Sequence, residues 1–121
     1  MSNTEDGRTY RRLVVELPAE VAGVAMLTAN LSLQGAQVVC PQIRYELNAE
    51  VLAKRPLPLT LQLGEGESAS VTCGVKYVSG YDDEVLLGLQ FGTDPSAPTP
   101  EAIGKFLERR GGSRYIQPVE G

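Results

Sequence analysis

Alternation of apolar and polar residues runs through most of the chain and predicts short β-strands. The clearest case is 57–63, where every second residue is leucine, followed by a turn and a second alternating run at 71–77. Successive side chains of a strand point to opposite faces, so this pattern places one apolar face on a core. Six segments are predicted as strands: 13–17, 24–29, 36–40, 57–63, 71–77 and 85–91.

Most of these segments are joined by short polar turns. Pro18 is expected to end the first strand and Pro41 the third, since proline cannot donate to a strand ladder. Residues 42–58 are less regular and are interpreted as a crossover, either a helical turn or a broad loop. Strands this close together lack the helical connections of a parallel sheet, so the pattern predicts an antiparallel barrel or sandwich.

Near the C-terminus the apolar spacing changes from two to three and four, at Ile103, Phe106 and Leu107. This spacing predicts one short helix, with Thr99 as N-cap, Pro100 as first helical residue and Gly111 as its stop. Residues 1–7 and 111–121 show no periodicity and are expected to be a flexible leader and a flexible tail. The domain itself is therefore assigned to residues 8–110.

The composition narrows the chemistry available to this chain of 121 residues. It contains no histidine, the commonest general base and metal ligand at neutral pH. Its two cysteines, Cys40 and Cys73, are far apart in sequence and lie in alternating segments, which indicates buried thiols rather than a zinc pair. A binding module is favoured over an enzyme.

The net charge of −4 argues against a protein that binds nucleic acid polymers through an excess of cations. The charge is unevenly distributed, because Arg8, Arg11 and Arg12 outweigh the two carboxylates that precede them. An export signal and a membrane-spanning apolar run are both missing from the sequence, which predicts a cytoplasmic location without membrane insertion.

Two short polar motifs stand beside the predicted strands. Arg8 and Arg12 form an Arg-x-x-x-Arg pattern directly before the first strand, and Asn30, Ser32 and Gly35 form Asn-x-Ser-x-x-Gly between the second and third. Each pattern alone is weak, because arginine clusters and polar turns are common on protein surfaces.

The order of these features resembles that of the PilZ domain family over roughly residues 8–110. The arginine pair is followed by the Asn-Ser-Gly turn, by the strands at 71–77 and 86–91, and by a short helix. The resemblance implies an all-β fold, a six-stranded antiparallel PilZ-type barrel with a short C-terminal helix. It also implies a non-enzymatic bacterial receptor for cyclic di-GMP that needs no cofactor and acts on an unidentified downstream protein.

The resemblance assigns Arg8 and Arg12 to the ligand site, with Arg11 as an accessory. Guanidinium groups can fork onto phosphate or guanine oxygens and stack on purines, which suits them to this ligand. The chain carries Gly7 where many family members have another basic residue. Both stoichiometries, one nucleotide or an intercalated pair, stay open.

The turn motif supplies the other expected contacts. Asn30 would bind a base edge or phosphate, and Ser32 would form one ligand hydrogen bond from an exposed position. Gly35 would remove a Cβ where backbone and ligand come close.

Two other functions are compatible with the sequence. One is a PilZ-like adaptor that works through protein contacts without nucleotide. The other is a hydrolase that uses Asp82 and Glu84, although acidic turns between strands are common and no nucleophile accompanies this one.

Overall fold

A computed structural model of the protein describes residues 10–41, 56–81, 84–92 and 99–119. The predicted leader at 1–7, Arg8 and most of the predicted crossover lie outside these ranges.

The described strands close into one antiparallel barrel with the order β1-β2-β3-β6-β5-β4. Their bounds are β1 Pro18–Val21, β2 Val24–Leu31, β3 Gly35–Pro41, β4 Leu57–Gly64, β5 Glu67–Tyr81 and β6 Glu84–Phe91. Helix α1, Glu101–Gly111, and a 3-10 helix, Ser113–Ile116, follow the barrel. The predicted all-β, six-stranded barrel with a short C-terminal helix is therefore confirmed.

The first strand was predicted in the wrong place. The predicted strand at 13–17 lies outside the ladder of the barrel, and β1 begins at Pro18, the residue expected to end it. Proline is tolerated as the first residue of a strand because its missing N–H is not needed there. Before it, the Leu17 N–H donates to Thr28 Oγ1 at 2.8 Å, and the Thr28 N–H donates to the Leu17 carbonyl at 2.9 Å.

Strand β5 is much longer than its predicted core at 71–77. It pairs with β4 at its start and with β6 along its second half, and its register against β6 shifts between Val75 and Tyr77. Lys76 is the extra residue of this bulge. A bulge bends and twists a strand locally, and here it lies beside the candidate site.

The barrel interior is filled by the apolar faces that alternation predicted. The leucines of β4 are all buried, and both Cys40 and Cys73 are buried thiols, as expected. Helix α1 buries Ile103, Phe106 and Leu107 against the same core. Burial of these side chains is the main driving force for the fold.

The ends of helix α1 differ from the prediction. Thr99 does not cap the helix, because its hydroxyl donates to the Leu33 carbonyl at 2.6 Å. Pro100 precedes the first helical residue and makes no side-chain cap. After the last residue, Gly112 has a φ of 98°, a conformation that favours glycine.

The residues after α1 continue along the surface. Pro118 forms an isolated bridge with Tyr10, which brings the two ends of the domain together. Arg109 pairs with Glu67 at 2.8 Å and links α1 to the turn between β4 and β5. The flexibility expected of residues 111–121 stays a prediction.

Candidate functional site

A groove of about 380 Å³ runs along the outer wall of the barrel, where β2, β3, β6 and β5 lie side by side. It is bounded by the N-terminal segment, by the β2–β3 turn and by the residue that precedes Pro100. The lining residues are Tyr10, Arg12, Asn30, Ser32, Leu33, Gln34, Gly35, Ala36, Gln37, Lys76, Tyr77, Gly88, Leu89, Gln90, Phe91 and Thr99.

The charge of this lining is one-sided. Among the residues that the structure describes, the lining contains two cations, Arg12 and Lys76, and no carboxylate, although the whole chain carries a net charge of −4. Arg12 is half-buried and forms no ion pair within the described ranges. Two cations on the described walls of the groove raise the local potential, which favours an anionic ligand.

The N-terminal segment is held so that Arg12 lies beside the β2–β3 turn. Leu13 exchanges two backbone hydrogen bonds with Leu31, at 2.8 and 2.9 Å. The Tyr10 N–H donates to Gln34 Oε1 at 3.0 Å. Arg12 and the Asn30 turn thereby line the same groove.

Of the other two predicted arginines, the structure describes only Arg11. Arg8 lies outside the described residues, so its expected contact stays a prediction. Arg11 is exposed and does not line the groove.

The position of Ser32 differs from the prediction. Its side chain was expected to be exposed, but only 5% of the residue is accessible. The Ser32 hydroxyl accepts hydrogen bonds from the backbone N–H of Gln34 at 3.1 Å and of Gly35 at 3.3 Å. Ser32 therefore fixes the shape of the turn, a common use of serine in such loops.

The structure gives Gly35 a role in strand packing, while its expected close approach to a ligand stays a prediction. Its φ lies outside the left-handed region, and it begins β3 directly against β6. A Cβ on Gly35 would overlap the backbone carbonyl oxygen of Leu89. The missing side chain lets two strands approach closely beneath the groove.

Four residues form a row across the floor of the groove. The strand register pairs Asn30 with Gln37, Gln37 with Gly88, and Gly88 with Tyr77. Asn30 Nδ2 donates to Gln37 Oε1 at 2.6 Å, and Gln37 Nε2 donates to the Tyr77 hydroxyl.

The sequence interpretation missed most of this row. Gln37 and Gly88 occupy polar or small positions of ordinary alternating strands, and Lys76 and Tyr77 belong to no motif. Only the shifted register of β5 brings them together. The sequence carries no clear signal for this row, because alternation placed Tyr77 on the same predicted face as Val75, and its 40% exposure is seen only in the structure.

A closed barrel with a cation-lined groove and a motif-bearing turn defines a binding module. The PilZ domain family model matches residues 4–109, and the chain belongs to the PilZ domain family. This is a family of cyclic di-GMP receptors and adaptors. A comparison with curated proteins gives no match.

The remaining candidate features are the two carboxylates considered for a hydrolase. Asp82 falls outside the described ranges, and Glu84 is exposed at the start of β6. In the described part of the chain, no helix is both long and apolar enough to cross a membrane.

Proposed function

We propose that this protein is a cyclic di-GMP receptor that binds the nucleotide along the groove between its N-terminal segment and β5. The observation that carries the proposal is the lining itself: Arg12 and Lys76 line the groove, and the described residues around them include no carboxylate. The same groove contains the Asn30–Gly35 turn. The chain also belongs to a family of cyclic di-GMP receptors and adaptors.

The lining residues suit the parts of such a ligand. Arg12 can fork onto a phosphate or onto guanine O6 and N7, and Lys76 can neutralise a phosphate as a point charge. Tyr77 is 40% exposed and its ring lies over Gly88, which leaves its other face available to stack on a base.

Two residues of the turn act on the ligand indirectly in this proposal. Ser32 holds the turn through backbone N–H groups, and Gly35 lets β3 pack on β6. Asn30 is half-buried and lines the groove, so it is the member of the motif that offers its side chain to the nucleotide.

We further propose that nucleotide binding orders the arginine segment 8–12 and so forms a surface for a downstream protein. Tyr10 already connects this segment to Gln34 in the turn and to Pro118 after the 3-10 helix. A ligand held by the arginines would therefore act on both. Hydrogen exchange at the Tyr10 amide, with and without cyclic di-GMP, is expected to show slower exchange in the complex.

Calorimetric titration with cyclic di-GMP tests the receptor function. A charged hydrogen bond contributes about 1.5–3 kcal/mol, so Arg8→Ala and Arg12→Ala should each weaken binding by roughly tenfold or more. Arg110→Ala is the matched control, because Arg110 is exposed on α1 with its guanidinium 5.3 Å from the Phe106 ring and does not line the groove. A parent protein that binds no cyclic di-GMP would instead support the adaptor function.

A further inference from the structure

We infer that Gln37 is a positioning residue that turns the Asn30 amide so that the groove prefers guanine to adenine. This inference rests on the proposed function and adds the residue that sets base selectivity. Gln37 belongs to neither of the two motifs that the sequence suggested.

The strand register makes this role available to Gln37. It stands on β3 directly between Asn30 on β2 and Gly88 on β6, and Tyr77 on β5 is the next neighbour of Gly88. Neighbouring strands lie about 4.8 Å apart, so Gln37 reaches Tyr77 across two strand spacings. It can do so because Gly88 has no side chain in the way, and a Cβ there would overlap the Tyr77 ring.

The two hydrogen bonds of Gln37 have a defined direction. Its Oε1 accepts from Asn30 Nδ2 at 2.6 Å, while its Nε2 donates to the Tyr77 hydroxyl. The Tyr77 hydroxyl accepts one of these bonds, and turning the Gln37 amide over would require Asn30 and the Tyr77 hydroxyl to exchange their donor and acceptor roles at the same time. In the structure Gln37 therefore presents its oxygen to Asn30.

The orientation of Gln37 fixes that of Asn30. With Nδ2 of Asn30 bound on the β3 side, the carbonyl Oδ1 is the end of the amide further from Gln37. No hydrogen bond in the described ranges uses this oxygen, and Asn30 lines the groove. The row thus presents an acceptor to the ligand.

An acceptor at this place discriminates between purines. Guanine carries two adjacent N–H donors, at N1 and N2, and one carbonyl oxygen with two lone pairs can accept both. On the same edge adenine has one donor, its N6 amino group, beside the N1 lone pair. This lone pair would repel Oδ1 of Asn30. The groove should therefore bind guanine-containing ligands more tightly.

Titration of the parent and Gln37→Met with cyclic di-GMP and with cyclic di-AMP tests the inference. Methionine keeps the length of the side chain but forms neither hydrogen bond, so the preference for cyclic di-GMP should fall by about tenfold. Gln62→Met on the exposed side of β4 is the matched control and should keep the parent ratio. An unchanged ratio in Gln37→Met would overturn the inference.

Asn30→Asp provides a second test that does not depend on the folding of Gln37→Met. A carboxylate has only acceptors, so the Gln37 amide would turn over, donating from Nε2 to one oxygen of the new carboxylate and accepting at Oε1 from the Tyr77 hydroxyl. The other carboxylate oxygen still faces the groove as an acceptor, and the preference should be retained. A preference lost or inverted in Asn30→Asp would mean that the parent presents Nδ2, which contradicts the inference. A parent that binds neither nucleotide would instead disprove the proposed function.

Discussion

Replacement of Gly35 by alanine is expected to destabilise the barrel strongly. The added Cβ would overlap the carbonyl oxygen of Leu89, a residue in the middle of β6. Leu89 pairs with Ala36 on one side and with Val75 on the other, so its backbone cannot shift without disturbing two ladders. The substitution therefore forces β3 away from β6.

The magnitude follows from the kinds of contact that are lost. Overpacking in a dense interior typically costs about 1–3 kcal/mol, and one or two weakened ladder hydrogen bonds add about 1 kcal/mol each. Alanine recovers about 0.5–1 kcal/mol because glycine loses more backbone entropy on folding. The net loss in the free energy of unfolding should be about 2–4 kcal/mol.

Thermal and urea unfolding, read by circular dichroism, measure this loss. For a domain of this size, about 2–4 kcal/mol corresponds to a decrease in Tm of roughly 6–20 °C. Gly80→Ala is the matched control on β5, because the nearest atom to its added Cβ is the Glu84 carbonyl oxygen at 3.9 Å. If the Tm of Gly35→Ala lies within about 2 °C of the Tm of Gly80→Ala, the close approach of β3 and β6 is not the reason why position 35 needs glycine.

Three other variants test separate parts of the structure. Ser32→Ala removes the acceptor of two backbone N–H groups in a buried turn and should reduce the free energy of unfolding, measured in urea, by about 1–3 kcal/mol. An unchanged free energy of unfolding would mean that the Ser32 hydroxyl does not hold the turn. Gly88→Ala should displace the Tyr77 ring and weaken cyclic di-GMP binding about tenfold with little change in Tm, whereas unchanged affinity would exclude the ring from the site. Burial raises the pKa of the Cys73 thiol from 9.0 to about 12, so the unfolded chain loses this proton first and stability should fall as the pH rises from 9 towards 12. The slope approaches about 1.4 kcal/mol per pH unit, and urea titrations at pH 8 to 10 should show it reduced in Cys73→Ala; equal slopes would refute this cause.

The strands could be predicted from the sequence because one face of each strand is buried. Alternation in β4 identified the four leucines that point into the barrel, and the three-and-four spacing of Ile103, Phe106 and Leu107 identified the apolar side of α1. These patterns are local, so they can be recognised in the sequence without knowing which elements pack together.

Features that depend on partners were predicted less well. Pro18 starts a strand instead of ending one, because Thr28 on β2 completes the hydrogen bonding of the residue before it. Thr99 bonds to Leu33, far away in sequence, instead of capping the helix that follows it. In both cases a hydrogen bond to a residue far away in sequence is present that the local pattern could not show.

The candidate site was found through its motifs and not through its geometry. Arg12 and Asn30 do line one groove, but the row that joins Asn30 to Tyr77 depends on a bulge at Lys76 and on the pairing order of four strands. Strand order and register are non-local properties, which a single sequence does not reveal.

The most direct test of the receptor function is a titration of the isotope-labelled protein with cyclic di-GMP, followed by backbone and side-chain amide resonances. The proposed site predicts that shifts concentrate at the side-chain amides of Asn30 and Gln37 and at the backbone amides of Lys76 and Gly88. The backbone amide resonances of the exposed residues Glu20 and Gln62, on β1 and β4, should not shift. Saturating nucleotide that shifts none of the groove resonances, or shifts only those of β1 and β4, would contradict the account.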